Sequence, residues 1–401
     1  MSELICGLDI GTSKISVILG QFKEPNKLII MRKAKLASEG IERGKVLDME
    51  KFTQVIERVM QSVEADKTLR PTRIILGVGN ELLRIQHYRR TIIISERSQE
   101  IKNSHIERLI KETMDTVVPF DYETLHVLSK EFIVDGQEKI RDPRGMFGNR
   151  LSGDFLVMFF PSSTLYNLKK GVYNAGYEVD RVFFSGYTTA FSFLDEEERN
   201  EGVIFLKIGG GTTTLAKFSG GIPVFFEIFP FGGIDIDYAL SKALGVSLEE
   251  AKKIKEKYGG LENRKEKIIS EVSLKEFSQE QLIKIVKDVL ERFLLRIKRK
   301  MAKFYGLDKV PFGIVLAGET FLLEGLVEKV EEIFRIPARL GVIKNIEDLT
   351  NKEENLFTYS DPIGLLRFDY LHRSSSKAIE KKLNSLRRFM LFAKKLFEEY
   401  F

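Results

Sequence analysis

The chain has 401 residues, enough for two domains that each bury a full core. Hydrophobic residues make up 43% and charged residues 30%, which excludes a disordered or fibrous protein. The 63 basic and 58 acidic residues leave a net charge of +5, too balanced to argue for nucleic-acid binding.

Leu4-Ile-Cys-Gly-Leu-Asp-Ile-Gly-Thr-Ser-Lys-Ile-Ser-Val-Ile-Leu-Gly20 opens the chain as strand, turn and strand. The turn holds Gly11, Thr12, Ser13 and Lys14, with Asp9 just before it. Cys6, the single cysteine, lies in the first of these strands and has no partner for an internal disulfide, so the cytoplasm is the expected compartment. The four histidines show no metal-ligand spacing. No signal-peptide pattern precedes Asp9, and no apolar run is long enough to span a bilayer.

Strands are expected over Lys27 to Ala34 and Gly40 to Leu47, followed by a helix over about Asp48 to Ala65. Its apolar residues Phe52, Val55, Ile56, Val59, Met60 and Val63 recur at helical spacing. Pro71 to Val78 reads as a strand. From Leu82 to Pro161 the pattern changes, with strands at Thr91 to Ser95 and Thr124 to Val134 and a helix over about Ser98 to Val118 between them. Ser162 to Asn174 is a helix, Glu178 to Phe184 a strand and Ser185 to Leu194 a connecting helix.

Ile204-Phe-Leu-Lys-Ile-Gly-Gly-Gly-Thr-Thr-Thr-Leu-Ala-Lys217 repeats the opening grammar about two hundred residues later. Glycines between strands let backbone N–H groups approach an anion, because no Cβ stands in the way. Read alone, the same segment is also an ordinary β-hairpin. Gly232 and Gly233 then open a helix, and Ser247 caps another that stops at Gly259. A long basic amphipathic helix runs from Ser278 to about Tyr305. Ile314-Val-Leu-Ala-Gly-Glu-Thr-Phe-Leu-Leu-Glu-Gly325 is a third glycine turn, after an apolar strand and before a helix.

Three glycine turns in this order resemble the actin-like ATPase superfamily (the ribonuclease H-like fold), with its two phosphate loops and its adenosine loop. The resemblance implies an α/β fold of two lobes around a nucleotide cleft. Val134-Asp-Gly-Gln137, Asp142-Pro-Arg-Gly-Met-Phe-Gly-Asn-Arg-Leu151 and Ser38-Glu-Gly-Ile-Glu-Arg-Gly-Lys-Val-Leu-Asp48 narrow it to FtsA, the actin-like cell-division family of bacteria. Read so, residues 1–81, 162–184 and 340–370 form the first lobe and 185–339 the second. Residues 82–161 form the family's inserted subdomain, 371–383 a linker and 384–401 a membrane-targeting helix.

The tail supports that last assignment independently. Leu386, Phe389, Met390, Ala393, Leu396, Phe397, Tyr400 and Phe401 fall on one helical face, with Arg387, Arg388, Lys394, Lys395, Glu398 and Glu399 opposite. Large aromatics edged by basic residues favour a helix lying in the plane of an anionic membrane surface. A helix docked back onto its own core is the alternative.

The resemblance implies ATP or ADP as ligand, held by Asp9, Gly11, Thr12, Ser13, Lys14, Gly209, Gly210, Gly211, Thr212, Thr213, Gly233 and Gly318, with Asp9 serving any Mg²⁺. Likeness to the family's ribose- and adenine-contacting helix adds Lys252 and Lys255. Two positions of the central loop that carry aspartate in the family pattern are Lys207 and Thr214 here, and the second glycine of the adenosine loop is Glu319. Lys207 is expected to pair with Asp9 or to contact a phosphate, and Glu319 to crowd the nucleotide. Hydrolysis is therefore expected to be slow or absent, with binding independent of Mg²⁺ or weak.

In the family, the region of the long basic helix docks the acidic C-terminal tail of FtsZ. Val289 occupies a position where arginine is frequent, which leaves Arg292 and Arg296 as the candidates. The expected function is a division protein that polymerises and tethers FtsZ filaments to the cytoplasmic membrane face at the septum, alongside other division proteins and without nucleic acid. An FtsA-like pilus or secretion assembly protein, binding an inner-membrane partner, is the alternative. A small-molecule kinase of the same superfamily is a third reading, for which no carboxylate base follows either phosphate loop.

Overall fold

A computed structural model describes residues 3–23, 26–64, 70–261, 267–269, 276–305, 310–350 and 354–374. The tail residues Leu386 to Phe401 named above lie outside them. Among the described residues, no helix is long and apolar enough to cross a membrane.

Two sheets carry the two lobes of an actin-like α/β fold. The first has the order Arg181–Phe184, Arg73–Val78, Ile5–Ile10, Lys14–Lys23, Lys27–Ala37, Ile346–Asp348. Ile5–Ile10 is buried along its whole length, because both faces of the sheet are covered. The helix Met49–Val63 covers one side with Phe52, Val55, Ile56, Val59, Met60 and Val63, the residues its spacing singles out. Asp48 caps it by accepting from the Lys51 N–H at 3.1 Å. Asp48→Ala is expected to cost about 1 kcal/mol of unfolding free energy in urea denaturation, the usual value of such a cap.

The second sheet runs Ile222–Phe229, Thr213–Ser219, Val203–Ile208, Ile314–Ala317, Ala338–Leu340. Period-2 alternation divides Val203–Ile208 between two cores. Ile204, Leu206 and Ile208 pack with Leu282, Val286, Leu290 and Ile297 of the helix Gln279–Tyr305. Val203 and Phe205 instead join the apolar cluster of the first lobe. Lys207 shares that odd-numbered face, so its backbone position alone aims it between the lobes.

Between Arg73–Val78 and Arg181–Phe184 of the first sheet, the chain forms a four-stranded antiparallel sheet, Gln137–Ile140, Tyr122–Val134, Arg150–Pro161, Arg84–Ile93, covered by the helix Asn103–Val117. It has its own core, including Leu109, Phe132, Val134, Leu151, Phe155 and Val157. The Asp135-Gly-Gln137 turn is a structural device: Asp135 and Gly136 take positive φ, and the Asp135 carboxylate accepts from the Asn149 and Arg150 N–H groups at 2.8–3.1 Å. This subdomain joins the body at buried His126, whose Nε2 accepts from the Phe184 N–H at 3.0 Å. Burial, helped by nearby His372, pushes the His126 pKa down to about 3, so the imidazole stays neutral and keeps its acceptor lone pair.

Several boundaries differ from the sequence reading. The first strand of the four-stranded sheet begins at Arg84 rather than Thr91, and the helix after it at Asn103 rather than Ser98. Gly40 to Leu47 forms a tiny hairpin, Ile41–Glu42 with Lys45–Val46, instead of one strand, because Arg43 and Gly44 both adopt left-handed backbone. Ser185 to Leu194 is two short helices, Ser185–Thr188 and Ala190–Phe193. The last helix spans 360–374 and continues four residues into the expected linker.

Candidate nucleotide cleft

The two phosphate-loop candidates come together as hairpin tips. Gly11 to Ser13 join Ile5–Ile10 to Lys14–Lys23, and Gly209 to Thr212 join Val203–Ile208 to Thr213–Ser219. The tips approach so closely that a Cβ on Gly210 would stand 2.6 Å from Ser13 Oγ, and one on Gly211 2.8 Å from Thr12 Oγ1. Only glycine allows that contact. The helix Gly233–Leu244 starts directly beneath. Its Gly233 and Ile234 N–H groups donate to the carbonyls of Gly209 and Gly210 at 2.9 Å, which fixes the loop.

These tips border a cavity of about 950 Å³ between the lobes. It is lined by Asp9, Gly11, Thr12, Ser13, Lys14, Lys207, Gly209, Gly210, Gly211, Thr212, Gly233, Lys252, Lys255, Gly318 and Glu319. Thr213 is the exception among the expected residues. It is fully buried, and its hydroxyl turns away to donate to the Phe231 carbonyl at 2.8 Å. Strand alternation puts Thr214 on the cavity side instead, directly across from Lys207.

The floor of the cavity departs from expectation. Lys207 pairs with Asp361 and donates to Thr189 Oγ1 at 3.3 Å, rather than pairing with Asp9. Asp9, only 3% exposed, accepts from the Ser185 hydroxyl. Burial and the nearby Asp361 carboxylate raise the Asp9 pKa to about 7, against the opposing pull of Lys207, Ser185 and Lys14. Burial acts on Asp361 in the same direction, but Lys207, the Thr189 hydroxyl and Lys14 together outweigh it and hold that carboxyl below its usual range. The floor thus contains one neutralised ion pair and one carboxyl that titrates near neutrality.

At the mouth, the Lys14 ammonium binds the Glu319 carboxylate and the Thr358 carbonyl. Gly318 has φ +92°, the left-handed region that favours glycine, and Glu319 follows it at the start of the turn Glu319–Leu322. Lys255 is held by Asp237 at 2.7 Å and donates to the Gly233 carbonyl at 3.1 Å. Lys252 makes no hydrogen bond or ion pair to a described residue and lines the same wall. Lys14–Glu319 and Lys207–Asp361 both cross between the lobes, as does Arg43–Asp235 at 3.3 Å.

The model of the SHS2 domain inserted in FtsA matches residues 80–159, and that of the cell division protein FtsA matches residues 204–360. The cell division protein FtsA of Streptococcus pneumoniae is 30% identical over 343 residues, spanning 84% of this chain and 75% of that protein. The chain belongs to the FtsA family. FtsA of Pseudomonas aeruginosa is 29% identical over 386 residues, 94% of this chain and 92% of that protein. Two solved structures share the actin-like fold with this FtsA-family chain. The PilM–PilN type IV pilus biogenesis complex has a TM-score of 0.69 at 14% identity, covering 90% of this chain and 97% of that one. MreB 5 of Spiroplasma citri bound to AMPPNP has a TM-score of 0.54 at 12% identity, covering 95% and 99%.

The cleft's shape fits a nucleotide: the tips are cut back to glycine where they meet, and backbone and ammonium donors surround the space. Mg²⁺ that travels with a nucleotide is held by phosphate oxygens, waters and one or two protein carboxylates, and the hairpin tips offer it a poor set. Asp361 is already neutralised by Lys207, and Asp9 is engaged by Ser185. Among the described residues no group of three or more His, Cys, Asp or Glu is placed to hold a metal.

Sequence reasoning missed Asp361, Ser185, Thr189, Lys35 and Thr358. Lys35 donates to Thr358 Oγ1 at 3.1 Å beside the Lys14 site. The one signal for Asp361 was its place at the start of the last core helix, where a carboxylate commonly sits. Arg292 and Arg296 are exposed on the outer face of the helix Gln279–Tyr305, flanking half-exposed Leu295.

Proposed function

We propose that this chain tethers FtsZ filaments to the cytoplasmic face of the membrane at the division septum and polymerises there with copies of itself. The observation that carries the reading is the match to FtsA proteins over nearly the full length of both partners. The amphipathic pattern of residues 384–401 supports the lipid contact. A single such helix binds membrane reversibly, and polymerisation strengthens the hold by avidity. Exposed Arg292 and Arg296 offer two guanidinium groups to an acidic FtsZ tail.

The same reading assigns the cleft to ATP or ADP, with hydrolysis weak or absent. Ordering an attacking water and its metal takes carboxylates, and the floor offers Lys207 and Thr214 at two of those positions. Steady Mg²⁺-dependent phosphate release that Asp9→Ala abolishes would contradict this.

Liposome co-sedimentation tests the tether. The full chain is expected to pellet with anionic vesicles, to lose at least about tenfold in partitioning without residues 384–401, and to carry an FtsZ tail peptide into the pellet. Peptide capture is expected to fall with Arg292→Ala combined with Arg296→Ala. Vesicle binding that survives the truncation would sink the lipid assignment.

A further inference from the structure

The positive charge that faces the phosphate side of this cleft comes from the chain itself. Lys14 follows the first hairpin tip and Lys207 precedes the second, so each glycine turn has one ammonium beside it. Both ammonium groups presently hold carboxylates from across the cleft, Glu319 and Asp361. Phosphate oxygens are ligands of the same kind, anionic and strongly accepting. Lys207 sits on the inter-lobe face of a strand whose other residues are all buried, with Thr214 rather than an acid as its cross-strand partner. A divalent cation arriving with a nucleotide meets an ammonium where it needs oxygen ligands.

We propose that this cleft takes its nucleoside di- or triphosphate free of divalent cation, with the Lys207 ammonium standing at the phosphate chain in the cation's place. The inference rests on the nucleotide reading above and adds the form in which the ligand enters. Lys14 supplies the second charge, from the opposite hairpin. On binding, phosphate oxygens take the place of the Glu319 carboxylate at Lys14 and of Thr189 Oγ1 at Lys207, whose three donors let Asp361 stay its partner. No bond is made or broken.

Isothermal titration of the full chain with ATP, ADP and adenosine, each in excess EDTA and in excess Mg²⁺, tests this. ATP and ADP are expected to bind in EDTA at least as tightly as in Mg²⁺, and adenosine at least about tenfold more weakly than ADP, because the charge-assisted contacts lie at the phosphates. Lys207→Met is expected to lose about tenfold in the EDTA affinity for ADP, and Lys207→Arg, which keeps the charge, to retain most of it. Should Lys207→Met not fold, the EDTA-against-Mg²⁺ comparison on the parent chain decides by itself. ATP or ADP affinity that rises about tenfold or more with Mg²⁺ overturns the proposal while leaving the nucleotide reading intact. Failure of all three ligands to bind in either buffer overturns both, and co-sedimentation still reports separately on the tether.

Discussion

Glu319→Gly is expected to bind ATP and ADP at least about tenfold more tightly than the parent chain, a gain of about 1.4 kcal/mol. Two effects add in the same direction. The substitution frees the Lys14 ammonium, whose charge-assisted bond to a phosphate is worth roughly 1.5–3 kcal/mol. It also removes a carboxylate that repels any anion entering the mouth. The pair it breaks is inexpensive to lose, because Glu319 is about half exposed and Lys14 keeps its bond to the Thr358 carbonyl. The melting temperature without ligand should therefore hardly move. Glu319→Gln keeps the shape of the side chain and discards its charge, so it should recover most of the gain. Titration in low and moderate salt gives a second check, since screening weakens the parent's internal pair and narrows the difference between parent and variant. If the glycine variant bound nucleotide no better than the parent, competition at Lys14 would be ruled out.

What the sequence made legible, and what it hid, follows from how locally each feature is determined. The hairpin tips were readable because glycines between two apolar strands mark a turn within a dozen residues, whereas the close approach of Gly210 and Gly211 to Ser13 and Thr12 was not, being a contact between distant segments. The helix Met49–Val63 was readable because six apolar residues on one stripe leave no other way to bury them. The partner of Lys207 was not readable. Asp361 lies 154 residues away, and only the closing of the lobes brings it to the cleft. Thr213 was misplaced for a subtler reason, since one residue of register decides which threonine faces the cavity and nothing in a run of three threonines marks it. Arg84–Ile93 was truncated in the reading because it is an edge strand with most residues exposed or half-exposed, so charge masks its alternation. In the inserted subdomain, the Asp135 turn identified the family from residues that only shape a loop.

Lys207→Met is expected to destabilise the fold by about 1–3 kcal/mol at pH 8, because it strips the partner from a part-buried carboxylate at the cavity floor. Asp361 would keep its charge beside Asp9 with no ammonium between them and only the water of the cavity to screen them. The loss should shrink on acidification, and the two carboxyls give the sign. Asp361 has a folded-state pKa below its unfolded value, so in the parent it contributes stability above the unfolded pKa and loses it as pH falls through the folded one. Asp9 behaves oppositely. Its folded pKa lies at about 7 against 3.8 unfolded, so its contribution is complete below pH 3.8 and disappears as pH rises through 7. Removing the ammonium raises both folded-state values, and protonation can then relieve the site at pH 5.5 but not at pH 8. Urea denaturation at the two pH values measures the difference. Asp9→Asn in the parent should stabilise at pH 8 by about 1–3 kcal/mol and flatten the profile between pH 5 and 8, since a neutral amide carries no buried charge. Combined with Lys207→Met it should restore part of the loss. Equal destabilisation by Lys207→Met at pH 5.5 and pH 8 would mean that the lysine acts through packing of its methylene stem and not through the two carboxylates beneath the cleft.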